Sequence, residues 1–119
     1  MADLTIQDVV EGGLAATYAA ASAGGDAVLN LAGDVFLHVR NGDAAQHTVT
    51  VTVQETSHEV AGFGAMSKAN LQVAIPAGAE AFIGPFPRAA FNDANGNVQI
   101  SYDGVTNVTV AALKLARAA

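Results

Sequence analysis

Short segments that alternate apolar residues with polar or aromatic ones dominate the chain from residue 35 onward. Residues 35–39 and 49–53 are two such segments, with turn-like residues between them. Because alternate side chains of a strand point to opposite faces of a sheet, this pattern predicts two strands with a common apolar face. Pairing them as an antiparallel hairpin around Ala44 sets Leu37 opposite Val51. The predicted core face consists of Val35, Leu37, Val39, Val49, Val51 and Val53, and the opposite face of Phe36, His38, Arg40, Thr48, Thr50 and Thr52.

Further segments also have strand character. Residues 98–102 and 108–112 are predicted to form a second hairpin, because turn-forming residues separate two alternating segments. Residues 71–75 and 81–83 flank a Pro-Ala-Gly turn, and a weaker strand is expected over 27–31. Some seven or eight short antiparallel strands without a helical period predict an all-β chain with a β-sandwich fold.

The first 34 residues have a different composition from the rest of the chain. They contain five acidic residues, no lysine or arginine, and much alanine and glycine. The contrast predicts an N-terminal arm, residues 1–26, followed by a β-sandwich domain, residues 27–119. The arm is expected to be extended, with a candidate helix over residues 5–11, where a threonine and an aspartate three residues later resemble a capping box. Residues 14–23 have helical propensity but no large apolar stripe.

Composition excludes several classes of function. The chain has 119 residues, the length of one domain, and a net charge of −6 with five scattered basic residues. Nucleic-acid binding is not expected, because it requires a cationic surface. The absence of cysteine excludes disulfides, thiolate nucleophiles and cysteine-ligated metals. No apolar run is long enough to span a membrane and no signal peptide is evident, so we expect a soluble chain made in the cytoplasm.

The sequence offers no arrangement typical of catalysis. His38, His47 and His58 are predicted to lie apart, on a strand, beside a turn and in a loop, so we expect no metal site. Residues 62–67 miss the third glycine of a dinucleotide-binding fingerprint and lack its strand–turn–helix context. No nucleophile elbow or paired carboxylates are evident. The protein is therefore expected to be no enzyme and to need no cofactor.

Residues 92–97 resemble the start of a calcium-binding loop. Asp93, Asn95 and Asn97 place oxygen-bearing side chains at alternate positions. The twelfth position counted from Asp93 is Gly104, where an EF-hand has a bidentate glutamate. A turn in which side-chain oxygens accept hydrogen bonds from the nearby backbone accounts for the same residues. Both interpretations stay open from the sequence.

Several segments spread over nearly the whole chain resemble a single family. They are residues 13–26 (GLAATYAAASAGGD), 36–42 (FLHVRNG), 83–87 (IGPFP), 91–92 (FN) and 108–115 (VTVAALKL). The family they resemble consists of small virion proteins of tailed bacteriophages, similar to capsid decoration or cement proteins. None of these segments is a catalytic motif. The resemblance implies a structural protein of the virion that binds the outer surface of the head, with the major capsid protein as its partner.

The arm is the segment most in need of a partner, because its apolar residues are interrupted by acidic residues and glycines. We expect it to contact the capsid surface or a neighbouring subunit of a homo-oligomer, with a trimer on a threefold position favoured. The alternative is that residues 1–34 form edge strands of their own domain. The candidate contact residues are Asp3, Leu4, Ile6, Asp8, Val9, Val10, Glu11, Leu14 and Tyr18.

Two other functional classes remain open. One is a different small β protein of the virion: a head–tail adaptor, a tail terminator or a tail-tube subunit. The other is a non-catalytic ligand-binding module, in which exposed aromatic side chains should cluster. The chain has seven aromatic residues and no tryptophan, so such a cluster would be small.

Overall fold

A computed structural model describes residues 2–55 and 57–116, apart from the side chains of Ala2, Ser57, His58, Met66 and Ser67. These residues form twelve strands and one short helix, α1 (Arg88–Phe91). The strands are β1 (Ala2–Asp3), β2 (Ile6–Val9), β3 (Ala19–Ala20), β4 (Asp26–Leu29), β5 (Phe36–Asn41), β6 (His47–Val51), β7 (Ser57–Val60), β8 (Gly64–Ser67), β9 (Leu71–Ile75), β10 (Glu80–Ile83), β11 (Asn97–Tyr102) and β12 (Val108–Leu115).

Two sheets build a β-sandwich, which confirms the predicted fold class. The first sheet has the strand order β1-β4-β11-β6-β9. The second has the order β10-β5-β12-β2, and β3 also pairs with β12. Neighbouring strands are antiparallel except β1 with β4 and β2 with β12. Strands β7 and β8 form a separate two-stranded hairpin.

The core lies between the two sheets, and its predicted composition is confirmed. All six residues assigned to the core face, which are Val35, Leu37, Val39, Val49, Val51 and Val53, are buried. Valine suits this position because its β-branched side chain packs well on a pleated surface. Phe86 and Phe91, which follow β10, fill one end of the core and meet edge to face with ring centroids 5.8 Å apart.

The predicted pairing of the strands is wrong, although their positions are right. Leu37 of β5 pairs with Ile83 and Ala112, and Val51 of β6 pairs with Leu71 and Ile100. The two strands lie in opposite sheets and face each other across the core. A segment that alternates apolar and polar residues has the same pattern in a hairpin as in an arch between two sheets, so the pattern fixes the buried face but not the partner.

The second predicted hairpin fails for the same reason. Strand β11 belongs to the first sheet and β12 to the second, and β9 and β10 are divided in the same way. The weaker strand expected over residues 27–31 is observed as β4, two residues shorter at its C-terminal end.

The arm is extended, and the candidate helix over residues 5–11 is not formed. Ile6–Val9 is strand β2, which runs parallel to β12 along its free edge. Pairing with β12 satisfies backbone groups of these residues, so tertiary contact overrides the local capping pattern. The alanine-rich residues 14–23 are also non-helical and contain the two-residue strand β3.

The arm covers one lateral edge of the sandwich. It begins as β1 at the edge of the first sheet and crosses to β2 at the edge of the second. Strands β9 and β10 form the opposite edges of the two sheets. Leu4 and Ile6 are half-buried and pack against the core. The arm therefore contributes edge strands to its own domain, as the alternative interpretation proposed, while one side of it faces solvent.

Candidate functional site

The nine arm residues expected to contact a partner divide into two groups. The exposed ones are Asp3, Asp8, Val10, Glu11 and Leu14, and the half-buried ones are Leu4, Ile6, Val9 and Tyr18. The exposed group lies along the covered edge, and one of its members, Asp3, also lines a cavity beneath the arm. The half-buried group anchors the arm to its own sandwich.

Exposed apolar side chains collect where the arm turns. Val10 and Leu14 are 46% and 36% exposed, and a hydrogen bond of 2.9 Å from Gly13 N to Val10 O closes the turn between them. Val9 lies beside Leu115 in the parallel register, and Leu115 is 65% exposed. We call Val10, Glu11, Leu14 and Leu115 the arm-tip patch. Its combination of apolar side chains with one carboxylate is typical of a surface that binds another protein.

The acidic residues of the arm are largely unneutralised. Asp8 lies 3.8 Å from Lys114 Nζ, but both side chains are substantially exposed, so this ion pair stabilises the fold little. Asp3 and Glu11 are exposed. The arm therefore presents a negative edge that would steer a basic partner toward it.

Tyr18 contacts the outer face of the second sheet. Its hydroxyl lies 2.5 Å from His38 Nδ1, and the two rings meet edge to face with centroids 5.3 Å apart. The guanidinium of Arg40 lies 4.9 Å above the Tyr18 ring, which is cation–π geometry. Tyr18 thus holds residues after the arm's turn against β5.

The contacts of Tyr18 belong to a larger aromatic cluster that the sequence did not predict. Phe82 of β10 stacks on His38 with centroids 4.1 Å apart, and its side chain is 67% exposed. Phe36 lies next to Phe82 at 6.3 Å. Glu80 Oε1 lies 3.3 Å from His38 Nε2, outside hydrogen-bond geometry. The cluster depends on β5 lying beside β10, a pairing between distant segments that local alternation does not reveal.

A cavity of about 430 Å³ lies beneath the arm. One wall is the arm itself, at residues 3–5, at Gln7 and again over residues 17–20. The opposite wall is the segment 110–112 of β12. Asp26, the first residue of β4, also lines it and is fully buried. The sequence marks Asp26 only as an acidic residue that follows two glycines and begins an apolar segment.

The two histidines with described side chains lie in different sheets, and the side chain of His58 is outside the described part. His47 Nε2 lies 2.8 Å from Asp43 Oδ2, and Nδ1 lies 3.1 Å from Asp103 Oδ1. Hydrogen bonding to Asp43, and then to Asp103, raises the pKa of His47 above its usual value. Across residues 2–55 and 57–116, no three His, Asp or Glu side chains are grouped so that they could hold a metal ion.

The segment resembling a calcium loop is a tight turn closed by its own aspartate. The carboxylate of Asp93 accepts hydrogen bonds from the backbone N–H groups of Asn95 and Asn97 at 2.8 and 3.0 Å, and from Gln99 Nε2 at 2.7 Å. The Gln99 bond and the two backbone bonds lower the pKa of Asp93. These donors occupy both carboxylate oxygens, which is the geometry expected for the turn interpretation.

Comparison of the chain with protein-family models, with curated protein sequences and with solved structures finds no match. In the part of the chain that the structure describes, no helix is both long and apolar enough to cross a membrane.

Proposed function

We propose that this protein is a decoration protein of a tailed bacteriophage, which binds the major capsid protein on the outer surface of the head and stabilises it. The observation that carries the proposal is the arm-tip patch together with the acidic residues of the arm, all on one solvent-facing edge. The segment-by-segment resemblance described above points to the same role. A protein with this role needs a stable core and an adhesive surface rather than reactive groups.

The way the arm is held supports a role in binding. Strand pairing with β4 and β12 fixes its backbone, and Leu4 and Ile6 anchor it to the core. An ordered arm loses little conformational entropy when it docks, so more of the contact energy contributes to affinity. Burial of the exposed apolar side chains would contribute roughly 25 cal/mol per Å² of apolar surface.

The shape of the molecule suits a broad surface contact. Its principal extents are 46 × 41 × 22 Å, so it is about half as thick as it is wide. A flat subunit with its adhesive groups along one edge can lie on a capsid shell and meet copies of itself around a symmetry axis. We propose a homo-oligomer, with a trimer at a threefold position as the favoured arrangement.

Cryo-electron microscopy of undecorated heads incubated with the purified protein tests the proposal. We expect extra density on the outer surface of the head at symmetry-related positions, fitted by the sandwich with its arm edge toward the capsid. Density confined to the portal or the tail would instead favour an adaptor, terminator or tail-tube subunit. No density on any part of the particle would exclude a structural role in that virion.

The aromatic cluster favours a second candidate, a non-catalytic ligand-binding module. Phe82 offers an exposed ring, with the charged side chains of Arg40 and Glu80 beside it, as in sites that bind a ring-shaped polar ligand such as a sugar. Saturation-transfer NMR with a panel of oligosaccharides tests this candidate. Signals lost in Phe82→Ala but kept in the control Phe63→Ala, another strongly exposed phenylalanine, would support it.

A further inference from the structure

The cavity beneath the arm contains an unusual polar group. Asp26 is fully buried, and its two carboxylate oxygens differ in their surroundings. Oδ2 accepts a hydrogen bond of 2.7 Å from the Tyr102 hydroxyl and a longer one of 3.4 Å from Ser22 N. Oδ1 is buried and has no hydrogen-bond partner among the described residues. A buried carboxylate oxygen without a donor is strongly unfavourable, so the fold retains it at a cost in stability.

The charge around Asp26 is uncompensated. None of the described residues that line the cavity is lysine, arginine or histidine, and a second carboxylate, that of Asp3, also lines it. Burial, then the hydrogen bond to Asp26 and the negative charge of Asp26, raise the pKa of Tyr102 far above its usual value. This phenol therefore stays protonated and supplies a hydrogen bond to Asp26 but no positive charge. The cavity therefore has a negative potential. Asp26, whose Oδ1 is buried and has no hydrogen-bond partner among the described residues, belongs to its wall.

The remaining lining defines the shape of a ligand. Ala19, Ala20, Ala111 and Ala112 leave room for a slender apolar chain, and Leu4 adds apolar surface. The volume of about 430 Å³ is at the small end of the range of ligand cavities. A group that combines an aliphatic stem with a positively charged hydrogen-bond donor satisfies both features. We infer that this cavity binds an alkylammonium group, which reaches Asp26 Oδ1 once the arm yields slightly around it.

Two sources offer this chemistry: a lysine side chain of a docking partner and a free alkylamine. The first source deepens the proposed function and rests on it, because the arm that would face the capsid is also the wall of the cavity. A capsid lysine inserted here would pair with a buried carboxylate, and such pairs lengthen the lifetime of a complex. The binding of a free amine, by contrast, can be measured without any capsid.

The test is a titration of the ¹⁵N-labelled full chain with n-butylammonium chloride at about pH 7, where a primary alkylamine is protonated. 1-Butanol serves as the neutral isostere, and potassium chloride as the salt control. We expect saturable shifts of the amides of Ala19, Ala20, Ala111 and Ala112 with n-butylammonium only. Asp26→Asn should weaken binding by at least about tenfold. Asp34→Asn, which removes one exposed negative charge outside the cavity, should leave it unchanged.

A second variant keeps the inference falsifiable if Asp26→Asn fails to fold. Ala20→Leu adds bulk at an exposed position on the cavity wall and should reduce binding without unfolding the sandwich. Shifts that do not saturate, equal shifts with 1-butanol, or equal binding by Asp34→Asn and Asp26→Asn would overturn the inference. Co-sedimentation with heads in the presence of n-butylammonium separates the sources. If n-butylammonium binds but does not compete with the heads, the cavity is assigned to a free amine. If the protein binds heads but not n-butylammonium, the inference about the cavity is refuted and the proposed function stands.

Discussion

Gln7 and Thr17 are joined by two hydrogen bonds that close the arm on itself. Gln7 Nε2 donates to Thr17 O at 2.7 Å, and Thr17 N donates to Gln7 Oε1 at 2.8 Å. The side-chain amide thus pairs with the backbone in the manner of a neighbouring strand. Since Gln7 and Thr17 both belong to the wall that the arm contributes to the cavity, this contact links the shape of the cavity to the position of the arm.

Gln7→Ala should loosen the arm without unfolding the sandwich. We expect the free energy of unfolding to fall by no more than about 1.5 kcal/mol, because the two bonds are exposed to solvent. The amide of Thr17 should exchange with deuterium much faster than in the wild type. Gln72→Ala, at an exposed position of β9, is the matched control and should leave the exchange of Thr17 unchanged. Unaltered exchange in Gln7→Ala would show that the arm is held by strand pairing alone.

The face assignment of β6 gives a stability prediction. Val51 is fully buried, so Val51→Asp places an unpaired charge in the core and should lower the free energy of unfolding by roughly 3–5 kcal/mol. Thr50, half-buried on the outer face, should tolerate Asp within about 1 kcal/mol. Urea denaturation of both variants measures the difference. If Thr50→Asp were the less stable variant, the assignment of the buried and outer faces of β6 would be wrong.

The faces of the strands could be predicted from the sequence because burial imposes a period of two residues. The partners of the strands could not, and Asn41 shows why. The Asn-Gly pair at residues 41–42 is typical of a tight hairpin turn. In the structure, the buried Asn41 side chain instead donates to the carbonyl oxygens of Ala45 and Ile75, and so holds an arch that leads to the other sheet.

The candidate sites could be predicted from the sequence less completely than the fold. The exposed residues of the arm could be selected because acidic and apolar residues alternate there without a stripe. The cavity required the arm, β4 and β12 to meet, and the aromatic cluster required β5 to lie beside β10. Such contacts join segments far apart in sequence, so no local pattern reports them.

The cluster of His47, Asp43 and Asp103 predicts a pH-dependent stability. A hydrogen bond from His47 lowers the pKa of Asp43. The pKa of Asp103 is lowered by a hydrogen bond from the Thr48 backbone and, to a smaller extent, by a hydrogen bond from His47. Because the pKa of His47 is raised in the folded protein, its contribution to the free energy of unfolding is complete below pH 6.5. This contribution is lost as the pH rises through the pKa of His47 in the folded state. The carboxylates of Asp43 and Asp103 make their full contribution to the free energy of unfolding above pH 3.8. They lose it as the pH falls through their lowered pKa values in the folded state.

Thermal unfolding of the wild type and His47→Gln, measured from below pH 3.8 to above pH 6.5, checks the prediction. The difference in Tm between the two proteins should be largest between pH 3.8 and pH 6.5 and should shrink on either side. Gly104→Ala should have a similar effect, because its Cβ would lie 2.8 Å from His47 Cε1 and displace the imidazole. Parallel Tm curves for all three proteins would show that the cluster does not contribute to stability.

Gly25 is required by the backbone beside the cavity. Its φ is +92°, and a Cβ there would lie 2.7 Å from the carbonyl oxygen of Ile100. Gly25→Ala should therefore lower the free energy of unfolding by about 1–3 kcal/mol from the left-handed conformation alone. Gly12→Ala, where nothing lies within 4 Å of the added Cβ, is the control and should be nearly neutral. Calorimetry of the two variants would contradict this account if both unfolded at the wild-type temperature.

The proposed binding of the arm's exposed residues to the capsid can be measured by co-sedimentation with undecorated heads. A variant carrying Val10→Ser, Glu11→Gln and Leu14→Ser changes three of the four residues of the arm-tip patch and leaves the half-buried anchors of the arm in place. The matched control carries Leu29→Ser and Leu31→Ser, two exposed leucines elsewhere on the surface. We expect the wild type and the control to sediment with the heads, while the arm variant, with an unchanged Tm, stays in the supernatant. Undiminished sedimentation of the arm variant would refute the proposed role of the arm.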